Sequence, residues 1–129
     1  MILSRGRRFI FVYIPKTGGT ALSLALEARA MKDDILIGDT PKARARKHRL
    51  HGVKTAGRLW KHSTLADIAG LASDDEIAGF FTVTLVRNPW DRMVSWHRYV
   101  LATPSHHLHG RTKVGDFDAN TKTKLEAFK

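Results

Sequence analysis

Lys16 stands beside Gly18 and Gly19 in a short loop between two segments of different character. Residues 9–14 are apolar and rich in β-branched and aromatic side chains, which predicts a buried strand, and residues 21–27 predict a helix. A strand, a loop of small residues and a helix direct backbone N–H groups and the positive helix end towards an anion. The pattern fits a phosphate- or sulfate-binding turn, and equally a plain strand-to-helix turn whose glycines only relieve backbone strain.

The order of residues in this loop differs from that of a Walker A motif. A Walker A lysine follows the glycines, whereas Lys16 precedes both of them. The sequence therefore disfavours an ordinary nucleoside triphosphatase or a nucleotide kinase.

Arg87 closes a second apolar run, residues 80–86, which also predicts a buried strand. Asn88 suits the N-cap of a following helix, Pro89 suits its first position, and Ser95 lies two turns further on. A guanidinium fork binds oxyanions, and a hydroxyl can complete the contact. The alternatives are purely structural roles, a salt bridge for Arg87 and a hydroxyl on the helix surface for Ser95.

The elements that must position these residues form two strand–turn–helix units. They predict an α/β fold with a parallel sheet and with sites at the carboxyl ends of its strands. Between the units we expect a short strand at 35–37, mostly loop over 42–58, and a helix from Ser63 or Thr64, since Thr64 and Asp67 have capping-box spacing.

Composition narrows the class of protein. The 129 residues suit one domain, and the absence of cysteine excludes disulfides, thiolate zinc sites and cysteine nucleophiles. No stretch approaches the ~20 apolar residues of a membrane span, and the basic N-terminal residues lead into the loop rather than into a cleavage site. We therefore expect a cytoplasmic protein.

The net charge of +10 is concentrated in one segment. No acidic residue occurs between Asp39 and Asp67, an interval that holds Lys42, Arg44, Arg46, Lys47, Arg49, Lys54, Arg58 and Lys61. Such a segment attracts polyanions, such as nucleic acid, sulfated sugars or a nucleotide cofactor. The alternative is a solvated loop whose basic side chains bind no polyanion.

The motif IPKTGGT at residues 14–20 resembles the 5′-phosphosulfate loop of the sulfotransferases that use 3′-phosphoadenosine 5′-phosphosulfate (PAPS). The motif RNPWDRMVS at residues 87–95 resembles their 3′-phosphate motif, in the wording of the carbohydrate-type and bacterial branch. The resemblance implies a P-loop-like, three-layer α/β fold with a central parallel sheet. It also implies a domain over residues 1–129 that corresponds to the N-terminal portion of the family's domain, which continues beyond the second motif.

The resemblance implies that Lys16 and the amides of the residues after it bind the 5′-phosphosulfate, and that Lys16 also supplies a catalytic charge. It implies that Arg87 and Ser95 bind the 3′-phosphate. The cofactor residues are thus Lys16, Thr17, Gly18, Gly19, Thr20, Arg87 and Ser95. Arg92 is a further phosphate candidate, although pairing with an acid suits it equally.

The family commonly uses a His or Glu between the two motifs as the base for the acceptor hydroxyl. His62 is the favoured candidate because its imidazole titrates near neutrality, and Lys61 beside it could stabilise charge. His48 and His51 are further candidates for the base. The alternative for His62 is a structural role at the surface or in a helix cap. Residues 106–109 hold three histidines without carboxylates, and the family uses no catalytic metal, so we expect no metal site.

The sequence thus predicts transfer of a sulfuryl group from PAPS to the hydroxyl of a small-molecule or carbohydrate acceptor. No specific nucleic-acid partner is expected. The alternative is a non-catalytic module that binds polyanions or nucleotides through residues 42–61.

Overall fold

The computed structural model describes residues 1–106, 108 and 109. It divides the chain into two compact units, the first of which is Met1–Val86 and the second of which begins at Arg87. The prediction of a single domain over 1–129 stays a prediction.

The first unit contains a four-stranded sheet. Strand β1 is Ile2–Ser4, β2 is Phe9–Val12, β3 is Ile35–Leu36 and β4 is Phe81–Thr84, and their order in the sheet is β3-β1-β2-β4. The three predicted strands are confirmed, each shorter than its apolar run. The prediction that the last of them is buried is wrong, because β4 is the edge strand of the sheet and its Phe81, Thr82 and Thr84 are exposed. Strand β1 has only three residues, too few for a period-two pattern, and the sequence did not predict it.

The sheet is mixed, and its parallel pair consists of the two strands that lead to the motifs. Strands β2 and β4 are parallel, with Val12 opposite Thr84, whereas β1 runs antiparallel to both β2 and β3. The predicted α/β class is confirmed. Because Val12 and Thr84 are the last residues of paired parallel strands, both strands end at the same edge of the sheet.

In the part of the chain that the structure describes, five helical segments connect the strands or follow them. Helix α1 is Gly19–Ala28, α2 is Pro41–Ala45, a 3₁₀ helix covers Lys47–Leu50, α3 is Asp74–Gly79, and α4, in the second unit, is Pro89–Leu101. The prediction of mostly loop over 42–58 is therefore wrong for its first half. The Thr40 hydroxyl caps α2 by accepting from the N–H of Ala43 at 3.1 Å, and Pro41 takes its first position.

The helix predicted from Ser63 or Thr64 is absent from the described chain, in which this stretch forms turns. Thr64 and Asp67 do make both hydrogen bonds of a capping box, at 2.7 and 3.2 Å. The carbonyl of Asp67 then accepts from Gly57 and that of Ala69 from Ala56, rather than from residues four positions later. These longer-range hydrogen bonds replace the helical ones.

Apolar side chains cover both faces of the sheet, since neighbouring residues of a strand point to opposite sides. On one face Leu3 and Ile10 pack with Ile68 and with partly buried residues of the segment 59–80. On the other face a second buried cluster packs against Leu22 and Leu26 of α1. Its members are Ile2, Phe11, Leu36 and Ala43. The first unit therefore has three layers, and α1 is fixed directly behind the loop that follows β2.

Candidate active site

The loop between β2 and α1 holds two residues in the left-handed backbone region. Lys16 has φ 65° and Gly18, the residue before α1, has φ 90°. Glycine adopts this conformation at no steric cost, whereas a lysine does so rarely and with strain of the kind that concentrates at functional sites. The loop thus has a defined, tightly turned shape.

Gly19 is required by close packing rather than by its φ angle. A β-carbon built there would lie 2.3 Å from the ring of Tyr13. The Tyr13 hydroxyl lies 2.5 Å from the hydroxyl of Thr20, and the Thr17 hydroxyl donates to the carbonyl of Ile14 at 2.8 Å. The two threonine hydroxyls therefore stabilise the shape of the loop.

The start of α1 gives this loop the electrostatics of an anion site. The first N–H groups of an α-helix have no acceptor within the helix and carry its positive end. The first turn of α1 contains no acidic residue, and Lys16 supplies a full charge three residues before it. A phosphate or sulfate group suits this arrangement.

His62 lies against the end of β2, close to the loop. Its Nδ1 is 2.9 Å from the carbonyl oxygen of Tyr13, and its ring packs edge-on against Tyr13 and Trp60 at centroid distances of 4.6 and 4.9 Å. The hydroxyl of buried Ser63 holds the local turn by accepting from the N–H of Trp60 at 2.9 Å. His48 and His51 are both exposed, and Nδ1 of His48 lies 3.1 Å from the carbonyl oxygen of Ala45 in α2.

The surroundings of His62 favour its neutral form. Burial lowers the pKa of His62 below its ordinary value, the hydrogen bond with Tyr13 partly opposes this, and the positive charge of Lys61 lowers it again. Because a carbonyl can only accept, Nδ1 carries the proton and Nε2 keeps its lone pair. The neutral imidazole of His62 can therefore accept a proton at Nε2.

Lys61, the neighbour of His62 in the sequence, makes an ion pair with Asp39. Its Nζ lies 2.6 Å from Oδ2 of Asp39, and this hydrogen bond lowers the pKa of Asp39. A cavity of about 250 Å³ has Lys61 and Asp39 on one side and Tyr13 and Thr20 on another. This space adjoins the loop and is large enough for part of an acceptor molecule.

The second unit shows the predicted helix start. The side-chain oxygen of Asn88 accepts from the N–H of Trp90 at 3.0 Å, and Pro89 takes the first position of α4. Arg87, exposed, precedes this cap, and Ser95, partly buried, lies in the second turn of α4. Their predicted roles at a 3′-phosphate stay predictions.

The histidines after α4 serve local structure where the structure describes them. Nδ1 of His106 lies 3.2 Å from the N–H of Leu108, and Nδ1 of His109 lies 2.9 Å from the carbonyl of Val100. His107 lies outside the described residues. No group of three or more metal-ligating side chains occurs within the described ranges.

The sequence model of the sulfotransferase family matches residues 1–128, so the chain belongs to that family. No curated protein and no solved structure matched the chain in the same comparisons. Membership supports a transferase of the sulfotransferase type, which uses a sulfuryl donor and a small-molecule acceptor. None of the described helices is long and apolar enough to span a membrane.

The sequence did not predict the roles of Tyr13, Trp60 and Asp39 in this site. Tyr13 immediately precedes the loop motif and lies one residue after β2, and its ring packs with the cluster on the α1 face of the sheet. Nothing in the sequence relates it to His62, which lies 49 residues further along.

Proposed function

We propose that this protein transfers the sulfuryl group of PAPS to a hydroxyl of an acceptor such as a carbohydrate, with His62 as the base. The observation that carries the proposal is the hydrogen bond between His62 and the carbonyl of Tyr13. It sets a neutral imidazole beside the strand end that leads into the anion-binding loop. The cytoplasm is the proposed location.

The proposed reaction forms one bond and breaks one. The acceptor oxygen forms a bond to sulfur while the bond between sulfur and the 5′-phosphate oxygen of PAPS breaks. The hydroxyl proton passes to Nε2 of His62, and adenosine 3′,5′-bisphosphate leaves. Such transfers depend on positioning and on stabilising charge at the leaving phosphate, which Lys16 and the N–H groups at the start of α1 would supply.

Arg87 and Ser95 are proposed to hold the 3′-phosphate of the same cofactor. The support is the resemblance of residues 87–95 to the 3′-phosphate motif, together with the match of the family model to residues 1–128.

A second candidate function is non-catalytic binding of polyanions by residues 42–61. The observation that favours it is the exposure of several cations there, among them Arg44 and Lys47. Calorimetric titration with adenosine 3′,5′-bisphosphate separates the two functions. The proposal expects micromolar binding that Arg87→Ala abolishes and that combined charge reversal at Arg44, Arg46 and Lys47 leaves intact.

The opposite pattern would support the polyanion module. Binding would then survive Arg87→Ala, disappear on charge reversal, and weaken steeply with salt because bound counterions are released.

A further inference from the structure

Tyr13 contacts both parts of the candidate site. Its carbonyl oxygen lies 2.9 Å from Nδ1 of His62, and its hydroxyl lies 2.5 Å from the hydroxyl of Thr20. Its ring packs so closely on Gly19 that a β-carbon built there would lie 2.3 Å from it. One residue therefore joins the proposed base to the first turn of α1, the helix that begins at Gly19.

The hydrogen bond between the two hydroxyls can run in either direction. If Thr20 donates to Tyr13, the only proton of Thr20 is used, and its hydroxyl offers an anion no donor. If Tyr13 donates, the proton of Thr20 is left for a second acceptor. The phenol is the more acidic of the two hydroxyls and hence the better donor, so an anion near Thr20 selects the second direction.

The position of Thr20 suits donation to an anion. It is the second residue of α1, in the same turn as the N–H groups that carry the positive end of the helix. Thr20 is exposed, whereas Gly19 beside it is buried. A hydrogen bond donated to a phosphate is assisted by charge, and each bond in a chain of hydroxyls polarises the next. Donation by Tyr13 therefore strengthens donation by Thr20.

The shape of the loop does not by itself require the Tyr13 hydroxyl. The Thr17 hydroxyl already ties the loop to the carbonyl of Ile14 at 2.8 Å, and the close contact with Gly19 fixes the Tyr13 ring whether or not it carries a hydroxyl. A single hydrogen bond between neutral, exposed groups contributes little to stability. The hydroxyl of Tyr13 is thus available for a role in ligand binding.

We propose that Tyr13 is a positioning residue of the sulfuryl transfer, whose hydroxyl donates to Thr20 and so directs the proton of Thr20 at the 5′-phosphate of the cofactor. This inference rests on the proposed function and adds to it a residue that acts through Thr20 rather than by contact with the cofactor. Because the carbonyl of the same residue holds His62, the base and the anion loop share one support.

The test is calorimetric titration with adenosine 3′,5′-bisphosphate of three variants. Tyr13→Phe keeps the ring and removes its hydroxyl, Thr20→Val removes the donor to the anion, and the double variant removes both. We expect binding to weaken about threefold to tenfold in Tyr13→Phe and about tenfold or more in Thr20→Val, because only the second change deletes a hydrogen bond to a charged group. The double variant should bind like Thr20→Val alone, since the two residues act as one unit.

A second readout separates positioning from a purely structural role. In the ³¹P NMR spectrum of the bound nucleotide, Tyr13→Phe should move the 5′-phosphate resonance and leave the 3′-phosphate resonance in place. The titration midpoint of His62 should stay that of the wild type, because the carbonyl and the ring that contact it are retained. Thr20→Ser is the matched control, since it keeps the hydroxyl and should keep the wild-type affinity.

Two results would overturn the inference and leave the proposed function standing. One is wild-type affinity with an unmoved 5′-phosphate resonance in Tyr13→Phe. The other is a double variant in which the losses of the single variants add, which would show that the Tyr13 hydroxyl acts without Thr20. Failure of the wild-type protein to bind the nucleotide would remove the proposed function and this inference together.

Discussion

At the scale of residues, His62 is the group that we propose as the base. Its Nδ1 donates to Tyr13, its ring lies between two aromatic side chains, and Nε2 is left as the basic atom. The sequence predicted the residue because a histidine between the two motifs titrates near neutrality. It could not predict what holds the imidazole, since that contact joins distant parts of the chain.

Titration of His62 by NMR should give a midpoint below 6.5, because burial is the main cause of its lowered pKa. Lys61→Ala should raise the midpoint by removing a nearby positive charge, and Lys54→Ala should not. The folded protein binds this proton less readily than the unfolded chain, so stability should fall as pH drops from about 6.5 through the folded-state pKa. A wild-type midpoint above 6.5, or a decrease in Lys61→Ala, would contradict this account.

Gly19→Ala should disrupt the loop, because the new methyl group would meet the Tyr13 ring at 2.3 Å. We expect a loss of about 1–3 kcal/mol in the free energy of unfolding, typical of overpacking, together with weaker binding of adenosine 3′,5′-bisphosphate. Gly38→Ala is the control, since its methyl group would meet only ordinary contacts at 3.8 Å or more. Urea denaturation checks both, and equal stability of the two variants would show that Gly19 is not tightly packed.

At the scale of elements, sequence pattern predicted best where hydrogen bonding is local or burial is continuous. The strand β2 and the capped helix α4 were predicted for this reason, whereas β4 was predicted from its β-branched and aromatic residues although it is largely exposed. The helix expected from Thr64 does not form because the carbonyls of Asp67 and Ala69 accept hydrogen bonds from Gly57 and Ala56, respectively. No local propensity reports such a partner.

Thr40 joins two of these elements. Its hydroxyl caps α2 and donates to Oε2 of Glu27, a buried residue of α1, at 2.6 Å. Thr40→Val should therefore lower the free energy of unfolding by about 2–4 kcal/mol, the sum of a lost cap and a lost hydrogen bond to a charged group.

Thr40→Ser is the matched control, because it keeps the hydroxyl and both of its hydrogen bonds. Thermal or urea unfolding should place it close to the wild type. Equal destabilisation by valine and serine would show that the methyl group of Thr40, and not its hydroxyl, stabilises this junction.

At the scale of the whole molecule, the family and the α/β class were evident from two motifs placed at the ends of two apolar runs. The mixed character of the sheet was not evident from the sequence, because β1 is short and its antiparallel pairing leaves no clear pattern in the order of residues. The basic segment was evident as charge alone. Only the fold shows that part of it lines a cavity together with Trp60, whose ring packs on that of His62.

The most direct test of the central claim is the rate at which [³⁵S]PAPS labels a panel of carbohydrate acceptors. We expect the wild-type protein to form a labelled ester. His62→Ala should lower the rate by about 10²–10⁴-fold, the usual contribution of a general base, while binding adenosine 3′,5′-bisphosphate normally, and His48→Ala should leave the rate unchanged. Transfer by His62→Ala at the wild-type rate would contradict the account.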